Sequence, residues 1–226
     1  MWQPIRNQRL FFISFSAFLV AGLMILLLFS KEESFLLVNQ SHSKFLDYLF
    51  YYATRLGKGS MYVVLLIAAL FMRYGYVVTV GAAAGIQTLL VHVPKRLIFP
   101  DALRPIRHFD GLADLHILEN VKVHAHYSFP SGHTATAFCL FTLLAIFLNK
   151  RQWELPLFFL ALMVAYSRIY LAQHFFVDVY VGSLIGVVSA LFAYWLINTA
   201  PMALSGKWAW LDKKLDLRRF MTGRAG

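Results

Sequence analysis

Residues 10–29 read LFFISFSAFLVAGLMILLLF, twenty consecutive side chains without a charge. A helix of that length rises about 30 Å, the hydrocarbon thickness of a bilayer. Arg6 and Arg9 precede the run, and Lys31, Glu32 and Glu33 follow it. The basic flank resembles that of a signal peptide, but the apolar run is too long and no small-residue cleavage pattern follows. The segment is therefore expected to be an uncleaved first transmembrane helix.

Working outward, the same test finds further spans. Residues 30–60 mix Phe45, Leu46, Leu49, Phe50 and Tyr51 with Lys44, Asp47, Arg55 and Lys58, a pattern suited to a helix lying at the membrane interface. Met61 to Met72 makes a short second span before Arg73. Tyr76 to Val93 is uncharged with small residues from Gly81 to Gly85, which predicts an interior helix. After a polar stretch from Pro94 to Pro130 come Ser131 to Asn149, Leu155 to Gln173 and Val179 to Ile197. The expected fold is all-α: a polytopic membrane protein with six transmembrane helices, an extracytoplasmic loop and an interfacial helix.

Composition agrees. Of 226 residues 59% are hydrophobic and only 14% charged, against about 25% charged in soluble domains. Six helices use nearly the whole length, so residues 1–226 are expected to form a single membrane-embedded domain. Cys139 is the only cysteine, which excludes an intrachain disulfide and a CxxC pair. The formal charge of +10 is scattered through loops and does not form a stripe on a polar domain, so no nucleic-acid partner is expected. Six basic residues from Lys207 to Arg224, interleaved with Trp208, Trp210 and Phe220, make a basic tail at 198–226 suited to anionic lipid. Lys150 and Arg151 occupy a very short turn on the same side as both termini, which predicts cytoplasmic termini.

Polar residues concentrate on the opposite side: Lys95, Arg96, Arg104 and Arg107, then Ser131, Gly132 and His133, then Arg168, His174 and Asp178. Ionisable groups at membrane edges are costly and point to function. Cations converging without matching acids call for an anion, and Arg with Lys suits phosphate. In Phe129-Pro130-Ser131-Gly132-His133, Pro130 suits a first helical turn, Ser131 can cap or donate, and Gly132 lets an oxyanion approach free N–H groups. His174 and Asp178, four apart, would share a helix face, so that the carboxylate holds one ring nitrogen and aims the other outward. With His133 this supplies a nucleophile and a general acid for phosphoryl transfer. His124 and His126 lack a third ligand at sensible spacing, and no metal or other cofactor is expected.

These three clusters resemble the tripartite signature of the type 2 phosphatidic acid phosphatase (PAP2) family, membrane relatives of the vanadium haloperoxidases. Pro130-Ser131-Gly132-His133 matches the second motif, and Ser167-Arg168-x5-His174-x3-Asp178 the third. The first motif departs: the family's Lys, six residues, Arg-Pro becomes Lys95 with eight residues before Arg104-Pro105, or Arg96 with seven. The basic partner is thus Lys95 or Arg96, and helix geometry favours Lys95. The signature spans residues 95–178.

The resemblance implies metal-independent hydrolysis in which His174 attacks phosphorus to give a phosphohistidine, Asp178 orients it and His133 protonates the leaving group. Lys95, Arg104, Ser131, Gly132 and Arg168 would hold the phosphoryl oxygens. The implied substrate is a membrane lipid phosphate or pyrophosphate: lipid A, undecaprenyl pyrophosphate, phosphatidylglycerophosphate or phosphatidic acid. The implied location is a bacterial inner membrane, with the site on the extracytoplasmic side. Two other readings are a lipid phosphotransferase of the same family and a non-enzymatic anion or lipid transporter.

Overall fold

The computed structural model describes residues 3–198 and 209–215. All its regular structure is helical: α1 (Gln3–Asn7), α2 (Arg9–Leu28), α3 (Lys31–Asn39), α4 (Lys44–Ala53), α5 (Ser60–Met72), α6 (Tyr74–Val93), α7 (Pro105–His108), α8 (Gly132–Leu148), α9 (Arg151–Tyr170) and α10 (Phe176–Asn198). The basic tail expected at 198–226 lies mostly outside the described residues; within 209–215, Trp210, Lys213 and Lys214 are exposed.

Among the described residues, three helices are individually long and apolar enough to cross a bilayer: Arg9–Leu28, Tyr74–Ile98 and Phe176–Asn198. Lys44–Gly57 and Ser60–Met72 form a fourth candidate only as a pair bent by 62°. Gly132–Leu148 is apolar but shorter, and α9 carries Arg151, Glu154 and Arg168. Each expected span falls on a helix, and the expected interfacial segment is α4, with Phe45, Tyr48 and Tyr52 exposed while Phe50 and Ala53 pack on Tyr170 and Leu171.

The core is built around α8, buried at nearly every position from Thr134 to Phe147. Its closest neighbour is α10, and the approach depends on two glycines. A Cβ at Gly182 would lie 2.6 Å from the Ser131 carbonyl oxygen, and one at Gly186 would collide with the Ala135 carbonyl oxygen. On α6, in contrast, only the face bearing Thr79, Val80, Ala83, Gln87 and Val91 is buried. Gly81 and Gly85 have open space where a side chain would be. The expectation of an interior α6 is therefore corrected: small residues permit close approach, but here the alanine face is the one packed.

At the bundle end away from the polar loop, Glu154 is buried and caps α2. Its Oε2 accepts the Leu10 N–H at 2.6 Å and the Phe11 N–H at 3.2 Å, where the positive helix terminus favours a carboxylate. Gln8 Nε2 donates to Asn149 Oδ1 at 2.9 Å beside it.

Candidate active site

The C-terminal end of α6, the N-terminal ends of α8 and α10, and the C-terminal end of α9 meet at one end of the bundle. Together with the 94–130 loop they surround an open cleft of about 510 Å³. Lys95, Arg104, Gly132, His133, Arg168 and His174 all line it. Three segments far apart in the chain thus bring their polar groups to one place.

Past Val93 the backbone widens into a single π-helical turn, Pro94–Ile98. Proline cannot donate to the α ladder, and the wider turn is a common answer. It sends Lys95 into the cleft, while Arg96 lies exposed with its guanidinium 5.7 Å from the Tyr127 ring centroid. The chain then loops to Arg104, whose N–H donates to the Ala125 carbonyl at 2.9 Å, as Ser128 N–H does to Ala102. Arg104 Nε donates to the His126 carbonyl at 3.0 Å, and its Nη1 reaches the Gln173 carbonyl at 3.2 Å and Oε1 at 3.1 Å. Arg107, grouped with the site cations from sequence, instead pairs with Asp110 at 2.6 Å on the exposed surface.

Arg168 is 5% exposed and donates through Nη1 to Thr54 Oγ1 at 2.6 Å, while its buried Nε has no hydrogen-bond partner among the described residues. A buried N–H left unmatched costs about 1–3 kcal/mol, so this one is suited to an incoming oxyanion.

His174 does not share a helix with Asp178. Helix α9 ends at Tyr170, and Ala172 takes a left-handed φ of 53°. The N–H groups of Gln173 and His174 both fold back onto the Arg168 carbonyl, at 2.9 and 3.1 Å. Helix α10 begins only at Phe176, so Asp178 reaches back from its first turn. The same oxygen, Oδ2, faces His174 Nδ1 at 3.3 Å, accepts the Phe175 N–H at 3.0 Å and accepts the Ser128 hydroxyl. The pairing expected from spacing is present, with a capping turn in place of a helix face.

Ser131 is the N-cap of α8, and Pro130 lies just outside the helix after a cis Phe129-Pro130 bond. The Ser131 hydroxyl accepts the Thr134 N–H at 3.4 Å and lies 2.9 Å from Thr134 Oγ1. Fully buried and absent from the cleft lining, it supports the helix start behind the wall. The Ser131 N–H donates to the Asp178 carbonyl at 3.0 Å, joining the α8 and α10 ends directly.

Burial is the main influence on His174, followed by the positive charges of Arg104, Arg168 and Lys95. Together they hold its imidazole well below the ordinary range, and so neutral. A neutral ring with Nδ1 held against a carboxylate leaves Nε2 free to attack. His124, exposed at the cleft rim, is also pushed down, by burial and by Arg104 and Lys122. Among the described residues no group of three His, Cys, Asp or Glu could hold a metal ion.

Sequence reasoning missed Ser128, Gln173 and Thr54. Each is an uncharged side chain that holds a charged one, and polar residues of this kind carry no distinctive spacing.

Residues 76–202 match the model of the PAP2 superfamily. The Bacillus licheniformis "Bacitracin transport permease protein BcrC" is 43% identical over 74 residues, covering 33% of this chain and 34% of that protein; the match thus spans about a third of that relative's length. The crystal structure of Aquifex aeolicus LpxE is similar at 33% identity with a TM-score of 0.62, over 70% of this chain and 91% of that one. A Bacillus subtilis transmembrane PAP2 type phosphatidylglycerolphosphate phosphatase aligns at 22% identity and a TM-score of 0.48, over 87% and 96% of the two chains.

Proposed function

The chain belongs to the PAP2 superfamily, and from that membership and the geometry of the cleft we propose that it is an integral membrane phosphatase acting on a lipid phosphate or pyrophosphate. One observation carries the reading. Three cations, Lys95, Arg104 and Arg168, line one cleft with His133 and His174, and Asp178 stands behind His174 Nδ1.

In this mechanism His174 Nε2 attacks phosphorus in line with the leaving oxygen. Asp178 keeps Nδ1 engaged and offsets the positive charge that develops on the ring. Lys95, Arg104 and Arg168, with the N–H groups at the start of α8, take the equatorial oxygens, whose charge is spread in the transition state. His133 gives a proton to the leaving oxygen. Water then cleaves the phosphohistidine and releases phosphate. The cations perform the charge neutralisation that a divalent ion performs elsewhere, so the reaction is metal-independent.

Residues 1–226 then form one membrane domain of six spans, the short α5 completed by its bend against α4. Both termini are cytoplasmic and the cleft is extracytoplasmic, in a bacterial cell membrane. Gln8, Asn149 and Glu154 meet at the end away from the cleft, and Lys150 and Arg151 lie there, which supports this orientation. A phosphotransferase would differ only in the acceptor that takes the phosphoryl group. A transporter using the cations for binding alone has no need of Asp178 behind His174.

The test is phosphate release by detergent-purified protein from a panel of lipid phosphates, with and without chelator. Release that disappears in His174→Ala is the expected result. No release from any member, or normal substrate movement by His174→Ala, overturns the reading.

A further inference from the structure

Lys31, Phe35 and Asn39 of α3 follow one another at intervals of four, so their side chains lie about 40° apart on one face of the helix. None of the three lines the cleft, yet all of them reach the turn between α9 and α10 that carries His174. Asn39, fully buried, donates through Nδ2 to the Tyr170 carbonyl at 2.9 Å, where α9 ends. Phe35, also fully buried, meets the Phe175 ring with the two centroids 5.5 Å apart. The Lys31 ammonium stands over that same ring, 3.8 Å from its centroid, well inside the range of cation–π attraction.

Phe175 lies between His174 and the start of α10 and is joined to Asp178 twice. Its N–H donates to Asp178 Oδ2 at 3.0 Å, and its carbonyl accepts the Asp178 N–H at 3.1 Å. A Phe175 ring that slides carries the neighbouring backbone with it and disturbs the 3.3 Å approach of His174 Nδ1 to Oδ2. The helix that grips this ring is itself held in place. A capping box fixes its start: Ser30 Oγ accepts the Glu33 N–H at 3.1 Å, and Glu33 Oε2 accepts the Ser30 N–H at 2.8 Å. Glu32 meets His108 Nε2 at 2.7 Å, and the His108 ring stands edge-on to Phe175 at 5.3 Å. At the far end Asn39 Oδ1 accepts the His116 N–H at 2.9 Å. Lys31 forms no ion pair among the described residues, although Glu32 and Glu33 follow it in sequence. Its charge faces the ring instead.

We propose that α3 is a splint for the turn that carries His174, and that Lys31 is a positioning residue acting on His174 through the Phe175 ring. The proposal rests on the phosphatase reading. Asn39 fixes where the turn leaves α9, and Phe35 with Lys31 fixes where it enters α10. Between these anchors His174 stays aligned with Asp178 as it attacks. Misplacing a reacting group by about 1 Å can cost about a hundredfold in rate. A loosened Phe175 therefore slows the attack while Lys95 and Arg168, on other elements, keep their hold on phosphate.

The test is steady-state kinetics on farnesyl diphosphate, phosphatidylglycerophosphate, phosphatidic acid and lipid A, with the thermal midpoint measured alongside. Lys31 is exposed, so Lys31→Met should keep the wild-type midpoint. On the lipid that the wild type cleaves fastest, Lys31→Met should lower kcat by about fivefold or more, with KM changed less than about threefold. Lys31→Arg, which can still cover the ring, should restore most of the lost kcat. In a Phe175→Leu background Lys31→Met should cost nothing further, because the ring it acts through is gone. If Phe175→Leu is too slow to measure, the kcat loss and its recovery in Lys31→Arg decide alone. An unchanged kcat, a loss carried by KM, no recovery in Lys31→Arg, or an equal loss without the ring overturns the splint and leaves the phosphatase reading standing. A wild type that cleaves none of the four lipids overturns both.

Discussion

Arg104 Nη1 donates to both oxygens that Gln173 offers, the backbone carbonyl at 3.2 Å and Oε1 at 3.1 Å. The residue immediately before the candidate nucleophile thus also holds a candidate phosphate ligand, so the two cannot shift independently. Gln173→Ala should lower kcat/KM by about tenfold, as expected for losing a hydrogen bond to a charged group. Gln173→Glu should raise KM further, because a carboxylate there competes with phosphate for Arg104. Unchanged kinetics in both variants would show that Arg104 is positioned by its other contacts.

His174→Ala is expected to abolish phosphate release while the protein still purifies as a monodisperse species, since the change removes a nucleophile from a turn. Asp178→Asn should cost less, though still heavily, through loss of ring orientation. Acid-labile, base-stable labelling of the wild type by radioactive phosphoryl donor, absent in His174→Ala, is the direct check. Activity of His174→Ala within about tenfold of wild type would sink the covalent route.

Lys95→Ala should reduce turnover by a hundredfold or more, as for loss of a transition-state charge contact. Arg96→Ala should cost less than about tenfold, because its guanidinium lies by Tyr127 outside the cleft lining. Turnover of both variants on one lipid in one detergent decides, and a reversed order would make Arg96 the ligand.

His174 should also shape the acid side of the pH profile. Burial and the three cations lower its affinity for a proton, so the neutral, attacking form persists as pH falls. Any acid limb of kcat/KM that belongs to His174, after correction for ionisation of the substrate, should lie below pH 6.5. The same shift means that the unfolded chain binds this proton first, so its contribution to stability is present above about pH 6.5 and is lost on acidification. A limb at or above 6.5 that vanishes in His174→Ala would contradict the assignment.

Gly186→Ala should lower the thermal midpoint in detergent, because the new methyl collides with the Ala135 carbonyl and overpacking typically costs about 1–3 kcal/mol. Gly81→Ala, facing open space, should leave the midpoint unchanged. Equal midpoints for the two variants would show that α8 and α10 can separate at no cost.

Long uncharged runs and the spacing of His and Arg made the helices and most of the cleft legible in the sequence, because both signals are local. What it left unread depends on neighbours distant in the chain. Gly81 and Gly85 look like packing residues until the structure shows which face of α6 meets α8. The spacing of His174 and Asp178 fits one helix turn equally well as a capping turn. Ser128 and Gln173 carry no charge, and only the folded loop brings them to Asp178 and Arg104.

The length of α8 has a consequence for where the lipid must go. Its 17 residues rise about 25 Å, less than the roughly 30 Å of hydrocarbon. In the proposed six-span topology, were the inner end of α8 level with the cytoplasmic boundary, Gly132 and His133 would stop short of the outer boundary. The phosphorylated head must then sink beneath the plane of its neighbours, or the outer leaflet must dimple to meet the enzyme. Either way the scissile group arrives stripped of much of its water, at a depth where a stray anion has no reason to linger and where a cluster of cations holds it most strongly.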